Sequence, residues 1–183
     1  HIYLYMTKTS IYTTRKLQKT IQEYISKDTQ KNDIFLGEWT ANFFYLNRKK
    51  CWVIINNLTK YAVILQNIKK SDVPQISLIF KKTFYSQLKY ERILVEYKLI
   101  EEIIGEINLY ETNNNQRIIG SLNSYVQYIK QILLTYQVID DSEFRELNMI
   151  LNIAPNKTLE YFSPREIMHN VLQVFMKNDV IKK

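Results

Sequence analysis

Cysteine occurs once in the 183 residues, histidine twice, and glycine and proline three times each. The single Cys51 rules out an intramolecular disulfide and points to a reducing compartment, so a cytoplasmic location is expected. A structural zinc site needs four N, S or O donors, usually with Cys or His in pairs. Cys51 and His169 are the only internal residues of those types, so no metal is expected, and no cofactor motif is present. Gly37, Gly105 and Gly120 stand alone, which excludes a glycine-rich phosphate loop. So little Gly and Pro leaves no room for linkers or low-complexity stretches, and residues 1–183 read as a single domain. No apolar run reaches the roughly 18 residues of a membrane span. The start, His1 to Met6, lacks the cationic region and small-residue cleavage site of a secretory signal.

What is abundant is apolar and basic. Hydrophobic residues make up 46% and aromatics 13%, enough to bury a packed core at this length. Ile, Lys, Asn, Tyr and Phe, all from A/T-rich codons, point to a low-GC bacterium or one of its phages or plasmids. The formal net charge is +7 and unevenly placed: residues 1–90 hold 15 Lys/Arg against 5 Asp/Glu, and residues 91–183 hold 10 against 13. A half this basic calls for an anionic partner, nucleic acid being the commonest, although Lys-rich codon usage produces part of the excess.

Periodicity divides the chain. Leu17, Ile21, Tyr24 and Ile25 mark a helix starting at Thr14, and the polar stretch 28–34 reads as a loop. Trp39 to Tyr45, Cys51 to Ile55 and Tyr61 to Leu65 are β-rich runs joined by short polar turns, which predicts an antiparallel meander. Asp72-Val73-Pro74 starts a helix with Ile76, Ile79, Phe80, Phe84 and Leu88 as its stripe. Ile93, Tyr97, Ile100 and Ile104 form another, stopped by Gly105. Ile107 to Glu111 reads as a strand returning to the sheet. Leu122, Tyr125, Val126, Ile129, Ile132, Leu133 and Tyr136 give the clearest amphipathic helix. Asp140-Asp141-Ser142 begins a further helix, and Ser163-Pro164-Arg165-Glu166 caps the last one. The expected class is α+β, an antiparallel meander of about three to five strands covered by four to five helices.

Three segments carry a resemblance. Gly37-Glu-Trp39-Thr-Ala41-Asn42-Phe-Phe44, with Asn47-Arg-Lys-Lys50 and Asn57-Leu-Thr59, resembles a W-x-A-N-L-F…R-R-K…N-x-T pattern. Asn115 to Asn123 resembles N-R-S-V-x-G-S-M-N-D. Asn152 to Glu166 resembles N-x-x-P-M-x-x-L-x-Y-x-x-P-x-E. In this order they are similar to an uncharacterised bacterial family. Gln116 stands where that pattern has Arg, and Ser124 where it has Asp, so any role of those charges is altered here. The resemblance implies one domain and supplies no mechanism. It also groups Trp39, Asn42, Asn115 and Asn123 as a possible polar pocket. Residues three apart on a strand face opposite ways, and Asn115 and Asn123 are expected to flank a turn around Gly120-Ser121, where Asn satisfies loose backbone groups.

No catalytic set emerges. His169 sits on a helix without an evident triad, and Glu96-x-Lys98 falls in a helical rather than a strand pattern. The best contact stretch runs from Tyr45 to Trp52, with Arg48, Lys49 and Lys50 at a hairpin tip beside Trp52, where cations meet phosphates and an aromatic ring stacks on a base. The expectation is therefore a non-enzymatic binding protein for nucleic acid or a nucleoprotein complex, of the kind a phage or plasmid carries as an accessory or host-defence inhibitor. The alternatives are an enzyme acting on RNA or DNA, and a protein-interaction module.

Overall fold

The computed structural model describes residues 7–29, 35–135 and 140–181. His1 to Met6, most of the polar stretch 28–34 and Tyr136 lie outside the described residues.

A five-stranded sheet is built from β1 (Lys8–Thr13), β2 (Trp39–Leu46), β3 (Lys49–Asn56), β4 (Ala62–Leu65) and β5 (Glu106–Tyr110), in the order β4-β3-β2-β1-β5. The class is α+β, as expected, but the sheet is mixed. β2, β3 and β4 pair antiparallel, whereas β1 runs parallel to both β2 and β5. The pure meander is thus corrected by a strand that the pattern concealed. β1 reads Lys-Thr-Ser-Ile-Tyr-Thr, and its buried threonines are satisfied by hydrogen bonds, Thr9 Oγ1 donating to the Ile104 carbonyl and Thr13 Oγ1 to that of Tyr110. Burial there rests on polar pairing rather than on an apolar run.

Six helices cover the two faces among the described residues: α1 (Arg15–Thr20), α2 (Ile76–Tyr90), α3 (Tyr97–Ile104), α4 (Gln116–Leu133), α5 (Asp141–Ile153) and α6 (Pro164–Ile181). Alternation along β2 sorts them. Trp39, Ala41 and Phe43 join a core with Leu17 of α1, Phe80 and Phe84 of α2, Ile100 of α3 and Leu172 of α6. Phe44 faces the other way, with Val53 and Ile55, against Leu122 and Val126 of α4 and Leu147 of α5.

Local chemistry sets the helix ends. Thr14 caps α1 and Asn115 caps α4. Asp140 and Glu143 form a reciprocal capping box on α5. Glu166 accepts from the backbone N–H of Ser163 at 2.7 Å, and its own N–H bonds the Ser163 hydroxyl. Gly105 ends α3 at φ +61°, where a β-carbon would lie 1.8 Å from the Thr7 carbonyl oxygen. Gly120 causes no break: α4 runs through it from Gln116, so the turn expected around Gly120-Ser121 is replaced by continuous helix.

The edge of β4 is closed by side chains. Asn152 on α5 accepts from the Ala62 N–H at 2.7 Å and donates to the Ala62 carbonyl, while Asn148 accepts from the Ile64 N–H at 2.8 Å. Two amides one helical turn apart thereby supply the bonds of a missing sixth strand. Asn152 also donates to the buried Glu91 carboxylate, as do Tyr61 Oη and Gln87. Burial holds the Glu91 carboxyl above its ordinary range, despite these donors. Burial, followed by the nearby Glu91 charge, pushes the Tyr61 hydroxyl well above its own. Arg165 locks the clasp by donating twice to the Glu91 carbonyl.

Candidate functional site

β1 and β5 are adjacent and parallel, and the chain leaves their carboxyl ends in opposite directions. After β1 it enters α1, whose Leu17 packs on one face; after β5 it enters α4, whose Ile118 packs on the other. In open sheets of parallel strands, the place where successive connections diverge to opposite faces leaves a crevice that serves as a binding site. Here it is a cleft of about 330 Å³ lined by Thr14, Arg15, Lys16, Asn42, Asn114 and Asn123, with Thr112, Gln116 and Ile119 completing the wall.

Each wall is held in place. The Thr14 backbone N–H bonds the Ala41 carbonyl, tying the start of α1 to β2. The loop after β5 is organised by its own side chains: the Asn114 N–H bonds Thr112 Oγ1, and the Asn115 N–H bonds Asn113 Oδ1. Arg15 crosses the cleft and donates from Nη2 to Asn114 Oδ1 at 3.1 Å. On the floor, Asn42 is buried. Its Oδ1 accepts from the Thr14 hydroxyl at 2.9 Å and from the Phe43 N–H at 2.8 Å. Its Nδ2 points across to Asn123 Oδ1 at 3.5 Å.

A basic strip continues from the cleft. Lys16 Nζ lies 4.3 Å from the centre of the Phe43 ring, and Lys50 Nζ lies 4.1 Å from it. Lys50 also donates to Thr20 Oγ1 at 2.7 Å, joining β3 to α1. Burial, and then the charge of Lys16, lowers the Lys50 ammonium pKa. Two cations are thus brought together beside one ring. Beyond them Tyr45, 61% exposed, stands edge-on to Phe43. The strip ends at the two-residue β2–β3 turn, where Asn47 and Arg48 both take positive φ, the left-handed geometry of a tight hairpin. Arg48 and Lys49 are exposed there.

Of the residues singled out from sequence, Asn42 and Asn123 meet in the cleft. Asn115 caps α4 at its margin, its Oδ1 accepting from the Ile118 N–H. Trp39 does not join them. It is fully buried on the opposite face, edge-on to Phe80 and Phe84, as its three-residue offset from Asn42 requires. Asn123 is exposed on the flank of α4 rather than buried at a turn. Arg48, Lys49 and Lys50 share the hairpin, but Trp52 is 1% exposed and has no face to offer a base. The exposed ring of that stretch is Tyr45. Thr14, Arg15 and Lys16 escaped sequence reasoning as site residues, since only the parallel placement of β1 brings them to Asn42. Their one signal was the Thr-Arg-Lys start of a helix in the basic half.

His169 pairs with Gln173 on its own helix. Among the described residues no group of three or more His, Cys, Asp or Glu could hold a metal ion, and no helix is long and apolar enough to cross a membrane. Comparison with curated proteins finds no match. The family model for a domain of unknown function, DUF6933, matches residues 10–167, from β1 into α6, and the chain belongs to that family.

Proposed function

We propose that this chain is a non-enzymatic binding protein whose partner is nucleic acid, gripped as a single strand along α1 and the β2–β3 hairpin. The observation that carries this reading is the shared position of Lys16 and Lys50 on the Phe43 ring. It joins the cleft to the hairpin tip as one basic surface with an exposed tyrosine on it. Single strands are held by a cationic track for the phosphates and aromatic faces for the bases. Arg15, Lys16, Lys50, Lys49 and Arg48 supply the track, and Tyr45 supplies the ring. The lining of the cleft consists of amides, hydroxyls, cations and one isoleucine, groups that hold a ligand through hydrogen bonds and charge.

Fluorescence anisotropy of a labelled oligonucleotide across a salt series tests it. Each phosphate contact on a single strand contributes about 0.7 to the log–log salt slope. Replacing Arg48, Lys49 and Lys50 together by Ala is expected to weaken binding and flatten the slope by about 2. An unchanged slope, or no binding by the parent chain at low salt, rejects the reading.

A further inference from the structure

We propose that the cleft at the ends of β1 and β5 is an oxyanion site that takes a phosphate group, with Asn42 as its specificity-determining donor. The inference rests on reading the cleft as the ligand site and names the chemistry it accepts.

The orientation of the Asn42 amide is fixed by its neighbours. The Phe43 backbone N–H can only donate, so the atom of Asn42 facing it must be the carbonyl oxygen. The Thr14 hydroxyl, which accepts from the Leu17 N–H at the start of α1, donates its own hydrogen to the same oxygen. Both lone pairs of Oδ1 are therefore used, and the amide cannot flip. Asn42 is consequently locked as a donor toward the cleft. Its NH2 group carries two hydrogens, and its one bond to a side chain is the 3.5 Å contact with Asn123, at the outer limit of a hydrogen bond. A side chain 7% exposed thus holds unspent donor capacity at the floor of a cleft.

The rim adds donors of the same sense. Arg15 carries five N–H donors, and the bond to Asn114 uses its Nη2 group. Lys16 brings a second cation. The 18-residue α4 begins at Gln116 on the cleft wall, presenting the positive end of its dipole. A locked amide donor, two cations and a helix start together favour a ligand rich in acceptors and negative charge. Phosphate meets that description, and a neutral base edge, with donors of its own, meets it less well. Such a phosphate could belong to the interior of a strand, to its 5′ end, or to a free mononucleotide, and the experiment separates these sources.

The test is a titration of 15N-labelled full chain with inorganic phosphate, adenosine 5′-monophosphate and adenosine, following the side-chain amide resonances of Asn42 and Asn123. Phosphate and the monophosphate are expected to move both resonances, and adenosine to leave them in place. Asn42→Asp keeps the acceptor for Thr14 and Phe43 but turns the donor into an anion, so monophosphate affinity should fall at least tenfold. Gln116→Arg, at an exposed position that cannot unfold the core, should raise affinity several-fold and decides the matter if the Asn42 variant melts early. No movement of either resonance at about 10 mM ligand, a weak-binding ceiling, overturns the proposal, as does equal response to adenosine and its monophosphate. Paired oligonucleotides identify the source: preference for a 5′-phosphorylated over a 5′-hydroxyl strand assigns the terminal phosphate, and equal binding displaced by the monophosphate assigns an internal one. Response to phosphate without oligonucleotide binding keeps this inference and removes the nucleic-acid reading. Oligonucleotide binding indifferent to both variants removes this inference alone.

Discussion

Asn42 and Asn123 lie 81 positions apart in the chain and meet between β2 and α4, Nδ2 to Oδ1 at 3.5 Å. They are not equivalent partners. Asn42 is buried and holds the Thr14 hydroxyl and the Phe43 N–H, whereas Asn123 is exposed. Asn42→Ala is therefore expected to cost about 1–3 kcal/mol of stability, from donors left without an acceptor. Asn123→Ala is expected to stay within about 0.5 kcal/mol of the parent. Urea denaturation of the two variants measures both, and equal losses would show that the pair acts as one structural unit.

The amide closure of β4 predicts a larger effect. Asn152→Ala removes an acceptor from the Ala62 N–H and donors from the Ala62 carbonyl and Glu91. The Ala62 N–H is left unpaired at a cost of about 1–3 kcal/mol. The Ala62 carbonyl keeps Asn148, and Glu91 keeps Tyr61 and Gln87, so each of these loses one bond of about 0.5–1.5 kcal/mol. A total loss of about 2–4 kcal/mol is expected. Hydrogen exchange should localise it, with protection falling at Ala62 before it falls at β2. A loss under about 0.5 kcal/mol, the range of ordinary surface changes, would contradict the closure.

Glu91 predicts a pH dependence. Its carboxyl pKa is raised in the fold, chiefly by burial. A carboxyl shifted upward contributes stability that is complete below its ordinary pKa and is lost as pH rises through the folded value. Glu91→Gln stays neutral, so the stability of the variant relative to the parent should improve as pH increases from about 4 to 8. Parallel stability curves for the two proteins would show that Glu91 does not titrate within the clasp.

Trp52 separates the core from the proposed binding surface. Because it is buried, Trp52→Phe is expected to lower stability by about 1–3 kcal/mol while leaving oligonucleotide affinity unchanged. Tyr45→Ala should do the reverse, costing about 1–3 kcal/mol of binding if a base stacks on the ring and little stability.

Several helix ends were readable from sequence because capping is local, the start of α4 at Gln116 being the exception. Thr14, Ser163 and Glu166 sit where their residue types predict, as do Asp140 and Asp141. Of the two strands on either side of Asn47-Arg48, β2 was readable from alternation and β3 from its run of β-branched and aromatic residues, and the short polar run between them from turn chemistry. β1 was not, because Thr9, Ser10 and Thr13 are buried through hydrogen bonds that only the assembled sheet provides. Missing β1 also hid the parallel pairs, and with them the divergence of α1 and α4 that creates the cleft. Of the polar residues grouped in advance, Asn42 and Asn123 converge, whereas Trp39 follows strand alternation into the opposite core. Trp52 misled for a related reason: an aromatic beside lysines reads the same whether its ring faces solvent or the core.

Where a strand touches the protein is the question on which the account stands most directly. Ultraviolet cross-linking of a bromodeoxyuridine-substituted single strand, read by mass spectrometry, answers it. Adducts are expected on Tyr45 and on peptides spanning Thr14 to Lys16 and Phe43 to Lys50, and they should disappear when Lys16 and Lys50 are both replaced by Ala. Adducts confined to α5 or α6, or no cross-linked complex at low salt, would contradict the assignment of this face as the binding surface.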